Sequence, residues 1–296
     1  MNLFFVFNPK AGKEKVKAKL GDIIELFSVE GHKVSIAATT KRGDATELVQ
    51  NLDPSIDRVI CSGGDGTLDE VVSGLSKLDR VVPLGYIPAG STNDFANSVG
   101  IPSRMMDAAR VSLSDNIFKC DVGKFNDKVF VYVAAFGAFT EVSYATPQDM
   151  KNRLGHTAYL IEAMRSVPEI KPYHMVIKTD NMTLEDDFIY GMITNSDSVG
   201  GIKKITGENV NLSDGLFEVT LIKKPKGPVE LNAVIGALLN HDLTAKDLFS
   251  FKTERISFSS TEEVPWTLDG EFGGKEKEVS IVNLNQALSL AVKKTK

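Results

Sequence analysis

Arg58-Val59-Ile60-Cys61-Ser62-Gly63-Gly64-Asp65-Gly66-Thr67 decides how this chain is read. Arg58 to Cys61 has the apolar character of a short buried strand, and Thr67 to Leu78 has the pattern of an amphipathic helix. A glycine-rich turn at that junction presents backbone N–H groups at a helix N-terminus, where the dipole favours anions. Gly63, Gly64 and Gly66 carry no Cβ, so a phosphate can come close to the backbone. Asp65 alone would repel that phosphate. Beside the cradle it points to a divalent cation, or to a base acting on the group that attacks the phosphate. A tight turn without a ligand is the plainer alternative. The dinucleotide fingerprint does not fit, because Asp69 stands where its third glycine belongs, and no Gly-Lys-Ser/Thr of a P-loop occurs.

Outward from this turn, strands and helices alternate. Leu3 to Phe7 is predicted as strand, and Lys13 to Val29 as helix with Val16, Leu20, Ile23, Ile24 and Phe27 on one face. A strand over Val34 to Ala38, a helix over Asp44 to Leu52 and a strand over Val82 to Ile87 complete the series. This alternation predicts a parallel sheet with helices on both faces, and ligands bind such sheets at the carboxyl ends of the strands. The loops Asn8–Lys13, Gly63–Thr67 and Pro88–Asp94 are therefore expected on one rim.

The pattern changes after Ser112. Strands are expected over 118–125, 129–136, 174–179, 188–194, 216–222, 255–259, 266–268, 279–282 and 288–292. Helices are expected over 152–167 and 229–240. Strands in succession, joined by turns such as Ser213-Asp214-Gly215, suggest an antiparallel sandwich or barrel-like domain. The predicted division is an α/β domain over 1–117 and a β domain over 118–282.

The 296 residues suffice for one large or two ordinary domains. A net charge of -5 argues against nucleic acid as the main partner. Cys61 and Cys120 form no disulfide framework, which fits a cytoplasmic protein. No apolar run is long enough to span a bilayer, so contact with a membrane would be peripheral. His32, His156, His174 and His241 are scattered without metal-ligand spacing.

Further constellations gain weight from their place on the predicted rim. In Pro88-Ala89-Gly90-Ser91-Thr92-Asn93-Asp94, Ser91 and Thr92 offer hydroxyls and N–H groups to phosphate oxygens, and Asn93 or Asp94 can orient them. A simple helix N-cap is the alternative. Asn8 and Gly12 lie in the turn after the first strand, which is either a simple turn before a helix or a third wall of the site. Asp269-Gly270-Glu271 is either a hairpin turn or a pair of carboxylates for a metal and a substrate proton. Asp214-Gly215 is either a hairpin turn or the seat of a structural cation.

Taken together, these segments resemble the diacylglycerol kinase catalytic-domain family, and within it the soluble bacterial lipid kinases. The resemblance rests on Asn8-Pro9…Gly12, Gly63-Gly64-Asp65-Gly66-Thr67-Leu68…Glu70 and Pro88…Gly90-Ser91-Thr92-Asn93-Asp94-Phe95-Ala96. It continues through Asn195…Gly200-Gly201, Asp214-Gly215-Leu216 and Asp269-Gly270-Glu271. Asp69 departs from the family's usual Asn.

The resemblance implies an N-terminal domain like those of phosphofructokinases and NAD kinases, completed by 283–296, and a β-sandwich C-terminal domain. It implies an active site in the cleft between them and transfer of the ATP γ-phosphoryl group to the hydroxyl of diacylglycerol. ATP and Mg2+ are the implied co-reactants. Asn8, Gly12, Gly63, Gly64, Gly66, Thr67, Gly90, Ser91, Thr92, Asn93 and Asp94 would hold the nucleotide. Asp65, Asp94 and Asp269 would place the catalytic Mg2+, and Asn211, Asp214 and Leu216 a structural one. The base is Glu271 or Asp65. A lipid substrate at the membrane surface and a possible homodimer are the implied partners. The alternatives are another lipid acceptor, a soluble-substrate kinase resembling NAD kinase, or a silent lipid- or nucleotide-binding regulator.

Overall fold

The computed structural model describes residues 1–12, 14–91, 93–137, 171–196, 198–199, 202–203, 210–239 and 246–294. The chain forms two compact units, one of Met1–Val122 with Asn285–Lys296 and one of Gly123–Leu284. The division falls five residues beyond the expected 117/118, inside a strand that continues past it.

In the first unit, β1 (Asn2–Phe7), β2 (Lys33–Ala38), β3 (Arg58–Gly63) and β4 (Leu84–Pro88) are parallel in the order β2-β1-β3-β4. All six residues of β3 are buried, as befits a strand covered on both faces. Leu290, late in the long strand β15 (Glu271–Ala291), pairs in parallel with Leu84. The helices are α1 (Lys15–Val29), α2 (Asp44–Gln50), α3 (Asp65–Leu75), α4 (Asp94–Ser98) and α5 (Met105–Ser112). Val16, Ile23 and Phe27 bury one face of α1, and Phe27 meets Phe5 edge-on at 6.1 Å. α3 begins at Asp65 rather than Thr67, which puts the carboxylate inside the first helical turn.

The second unit is antiparallel. Its strands are β5 (Ile117–Phe125, entering from the first unit), β6 (Lys128–Phe130), β7 (Val133–Gly137), β8 (Tyr173–Lys178), β9 (Thr183–Thr194), β10 (Ser198–Val199), β11 (Ile202–Lys203), β12 (Phe217–Lys223), β13 (Leu248–Thr253), β14 (Arg255–Leu268) and β15. One helix, α6 (Pro228–Leu239), accompanies them among the described residues. The main order is β13-β12-β9-β7-β14-β15, with β8 between β9 and β14 and the β10–β11 pair separate. Trp266 centres the core, its ring 5.1, 4.9 and 5.0 Å from Phe125, Phe136 and Phe258.

Two expected strand pairs prove to be single strands. β14 joins 255–259 to 266–268 through a bulge after Ser259, and β15 contains both 279–282 and the expected 288–292 segment as far as Ala291. The reverse holds at 129–136, which divides into β6 and β7. β13 was not anticipated. The helix expected over 152–167 lies outside the described residues. No helix among the described residues is long and apolar enough to cross a membrane.

Candidate active site

The turns that follow β1, β3 and β4 come together in the first unit. The Asn8 N–H donates to the Ser62 carbonyl at 2.9 Å, and the Ala89 N–H donates to the Gly63 carbonyl at 2.7 Å. The Asn8 amide reaches the Thr67 hydroxyl at 3.5 Å, while its oxygen accepts the Lys10 N–H at 2.9 Å. Asn8 thus shapes its own turn and touches the first turn of α3.

Absent side chains make this packing possible. Gly12 has φ +59°, and a Cβ there would lie 2.3 Å from the Ala89 carbonyl oxygen. A Cβ on Gly63 would meet the Thr67 side chain at 2.4 Å. The Tyr86 hydroxyl donates to the Gly63 carbonyl at 3.2 Å, and burial raises its pKa well above the ordinary phenol value, so it remains a donor.

The N-terminus of α3 opens on this meeting place. Gly64 is its extended N-cap, with no side chain to satisfy the first N–H groups. Asp65 is half-buried in the first turn, and Thr67 is buried. The Ser62 hydroxyl near the end of β3 is fully buried and has no hydrogen-bond partner among the described residues.

Asn93, expected among the nucleotide-holding residues, is bonded within its own turn. Its oxygen accepts the Gly90 N–H at 2.8 Å and its NH2 donates to the Gly90 carbonyl at 3.0 Å, with φ +51° at its own backbone. It builds the turn. Ser91 is exposed, Asp94 is only 2% exposed at the start of α4, and Thr92 lies outside the described residues.

Sequence reasoning missed what Glu70 does. From α3 it accepts the Gly43 N–H at 2.8 Å and the Ala45 N–H at 3.1 Å, capping α2 in place of a side chain of its own. The 39–45 segment adjoins the same rim, since the Thr39 N–H donates to the Phe7 carbonyl at 2.9 Å. Buried Asp121, on β5, was also missed; it accepts the Gln286 N–H at 2.7 Å. A carboxylate within the otherwise apolar Cys120-Asp121-Val122 run is the available signal.

In the second unit, Leu268-Asp269-Gly270-Glu271 forms a two-residue hairpin loop, with Leu268 paired to Glu271. Asp269 and Gly270 have φ +50° and +81°, as a type I′ turn requires. Asp269 is buried and Glu271 exposed. The Asp269 carboxylate accepts the N–H groups of Val131 at 2.5 Å and of Tyr132 and Val133 at 2.9 Å each. At the other predicted turn, the Asp214 carboxylate accepts the Leu216 N–H at 3.1 Å and lies 3.6 Å from the Lys252 ammonium, and the Asn211 oxygen accepts the Ser213 N–H at 3.2 Å.

Among the described residues no three His, Cys, Asp or Glu side chains gather into a ready metal cage. A nucleotide-borne Mg2+ needs less, since one or two carboxylates suffice when phosphate oxygens and waters complete its shell. Asp65 and Asp94 supply hard oxygen donors in the unit that carries the glycine cradle and the unpartnered Ser62 hydroxyl, a donor set that fits Mg2+ with a nucleotide.

Residues 2–125 match the diacylglycerol kinase catalytic domain, and residues 133–291 match the YegS C-terminal NAD kinase beta sandwich-like domain. The chain is 32% identical to the diacylglycerol kinase of Bacillus subtilis over 271 residues, covering 91% of this chain and 89% of that one. It is also 32% identical to the diacylglycerol kinase of Staphylococcus haemolyticus, covering 98% and 87%. A solved structure of a candidate diacylglycerol kinase from Bacillus anthracis superposes with a TM-score of 0.84 at 26% identity, covering 99% of this chain and 95% of that one. With a phosphate-type cradle on an α/β unit, an antiparallel second unit and relatives matched almost end to end, the chain belongs to the diacylglycerol kinase family of lipid kinases.

Proposed function

We propose that this enzyme transfers the γ-phosphoryl group of ATP to the free hydroxyl of diacylglycerol, giving phosphatidic acid and ADP. The observation that carries the reading is the junction of three glycine-bearing turns at the N-terminus of α3, in a chain whose relatives are named diacylglycerol kinases. Phosphoryl transfer is catalysed mainly by positioning and charge neutralisation. In this reading, Asn8, Gly12, Gly63, Gly64, Gly66, Thr67, Gly90, Ser91 and Thr92 surround the phosphates, and Asp65 and Asp94 hold Mg2+. The metal, when bound, supplies neutralisation of phosphate charge.

Glu271 is the proposed base. Its exposure leaves it open to a substrate hydroxyl, whereas Asp65 sits half-buried in a helical turn. The hydroxyl oxygen forms its bond to the γ-phosphorus as the bond to the β-phosphate oxygen breaks, and the hydroxyl proton passes to the Glu271 carboxylate. The lipid substrate implies transient docking at the inner membrane face from the cytoplasm. Lysines such as Lys15, Lys17 and Lys19 on α1 suit an anionic surface. A homodimer is the proposed assembly.

The test is a phosphorylation assay with Mg·ATP and mixed vesicles, comparing diacylglycerol with monoacylglycerol, a polyprenol and a sphingoid base, and with NAD in solution. Labelled phosphatidic acid as the dominant product supports the proposal. Preferential labelling of another lipid, or of NAD, replaces the acceptor. Nucleotide binding without any transfer would leave a silent regulator.

A further inference from the structure

We infer that Asp269 is a positioning residue, whose carboxylate anchors the Glu271 hairpin to the backbone of residues 131–133 instead of holding the catalytic metal. This rests on the reading of Glu271 as the base. Three main-chain N–H groups converge on the two oxygens of Asp269: Tyr132 and Val133 on one, Val131 on the other. An ionised carboxylate has about four lone-pair sites, so most of its accepting capacity is committed to protein. The backbone completes the clasp, because the Asp269 N–H donates to the Val133 carbonyl at 2.8 Å.

A second contact holds the same hairpin from its far side. Lys128, on β6, donates its ammonium to the Gly273 carbonyl at 2.5 Å. Glu271 therefore stands between two fixed points, Asp269 before it and Gly273 after it. The positive φ values at Asp269 and Gly270 set the direction in which β15 leaves the turn. A base must meet its proton within a narrow distance, and a shift of about 1 Å costs roughly a hundredfold in rate.

Asn at position 269 places an NH2 group where N–H donors converge, so Asp269→Asn sets donor against donor at the anchor. The experiment measures kcat, KM for ATP, the Mg2+ concentration for half-maximal rate and amide hydrogen exchange in wild type, Asp269→Asn and Lys128→Met. For Asp269→Asn the expected result is a fall in kcat of about a hundredfold, with unchanged KM for ATP and unchanged Mg2+ half-saturation. Exchange at Val131, Tyr132 and Val133 should accelerate.

Wild-type exchange at those amides in a folded Asp269→Asn variant overturns the inference. So does a tenfold rise in Mg2+ half-saturation with kcat restored at high Mg2+, the behaviour of a metal ligand. If Asp269→Asn does not fold, Lys128→Met decides: lowered kcat with unchanged Mg2+ half-saturation supports the clamp, and wild-type kcat overturns it. Should wild type phosphorylate no lipid, the kinase reading falls, while the exchange data still decide whether Asp269 anchors residues 131–133.

Discussion

Gly64 and Gly90 approach backbone to backbone: a Cβ on Gly64 would lie 3.3 Å from the Gly90 Cα, and a Cβ on Gly90 would lie 2.8 Å from the Gly64 Cα. The second clash is the worse, because backbone cannot swing aside and the Asn93 oxygen already sits 2.7 Å from the same point. Gly90→Ala should therefore separate the two turns. The expected cost is about 1–3 kcal/mol of stability, together with weaker ATP binding. Urea unfolding and calorimetric titration with ATP check both parts, and an unaltered variant would remove the close approach from the account of phosphate binding.

Two of the three carboxylates proposed to act on the reaction, Asp65 and Glu271, can be neutralised without emptying a core. Asp65→Asn and Glu271→Gln keep side-chain size, and each should lower kcat by about 10²–10³. Thermal melting should change little, since Asp65 is half-buried and Glu271 exposed. Near-normal lipid phosphorylation by Glu271→Gln would move the role of base to Asp65.

Glu70 makes a different prediction, because it stabilises a neighbouring helix. Glu70→Ala would leave the Gly43 and Ala45 N–H groups without their acceptors. A loss of about 1–3 kcal/mol per buried donor left unpaired sets the scale. The chemical-denaturation midpoint should fall, and Glu70→Gln, which keeps one acceptor oxygen, should recover part of it.

The His174 imidazole lies 2.9 Å from Asp187 and 3.6 Å from Glu185. The hydrogen bond with Asp187 is the main cause that raises its pKa above the ordinary 6.5. Its protonated form is thus favoured in the folded state. The contribution to stability is fully present below the unfolded value and disappears as pH rises through the higher folded value. Melting temperatures of wild type and His174→Gln should differ below about pH 6 and converge in mildly alkaline buffer. A gap that widens with pH would contradict the assignment.

Cys61 and Cys120 are buried as free thiols. Burial pushes the Cys120 thiol up to about 12 and raises Cys61 as well. Neither should react with a water-soluble disulfide reagent at neutral pH, and both should react once denaturant unfolds the chain. Rapid native labelling of either would show that its strand opens readily.

The β3–turn–α3 junction was legible because the glycines and the apolar Val59-Ile60-Cys61 run before them leave few other conformations open. Alternation then placed the Asn8, Gly63 and Pro88 turns on one rim, and the hydrogen bonds from Asn8 to Ser62 and from Ala89 to Gly63 show them there. The work of Asp269 was not legible, because its partners are main-chain N–H groups, which every residue except proline possesses. The bonds of Asn93 were hidden for a related reason: an amide that pairs with Gly90's backbone looks, in sequence, like one aimed at a ligand. The polar Ser259–Glu263 run made β14 read as two strands, since a bulge breaks the alternation that marks a continuous one.

Residues 285–296 belong with the first unit, where Leu290 pairs with Leu84 and the Val292 N–H donates to the Asn116 carbonyl at 3.0 Å. On the ribosome, residues 1–122 emerge before residues 285–291, so their sheet gains the Leu290 strand only after the whole second unit has been made. Through that interval β4 keeps an open flank, so nascent chains stalled before residue 285 should be the ones that chaperones hold and proteases cut.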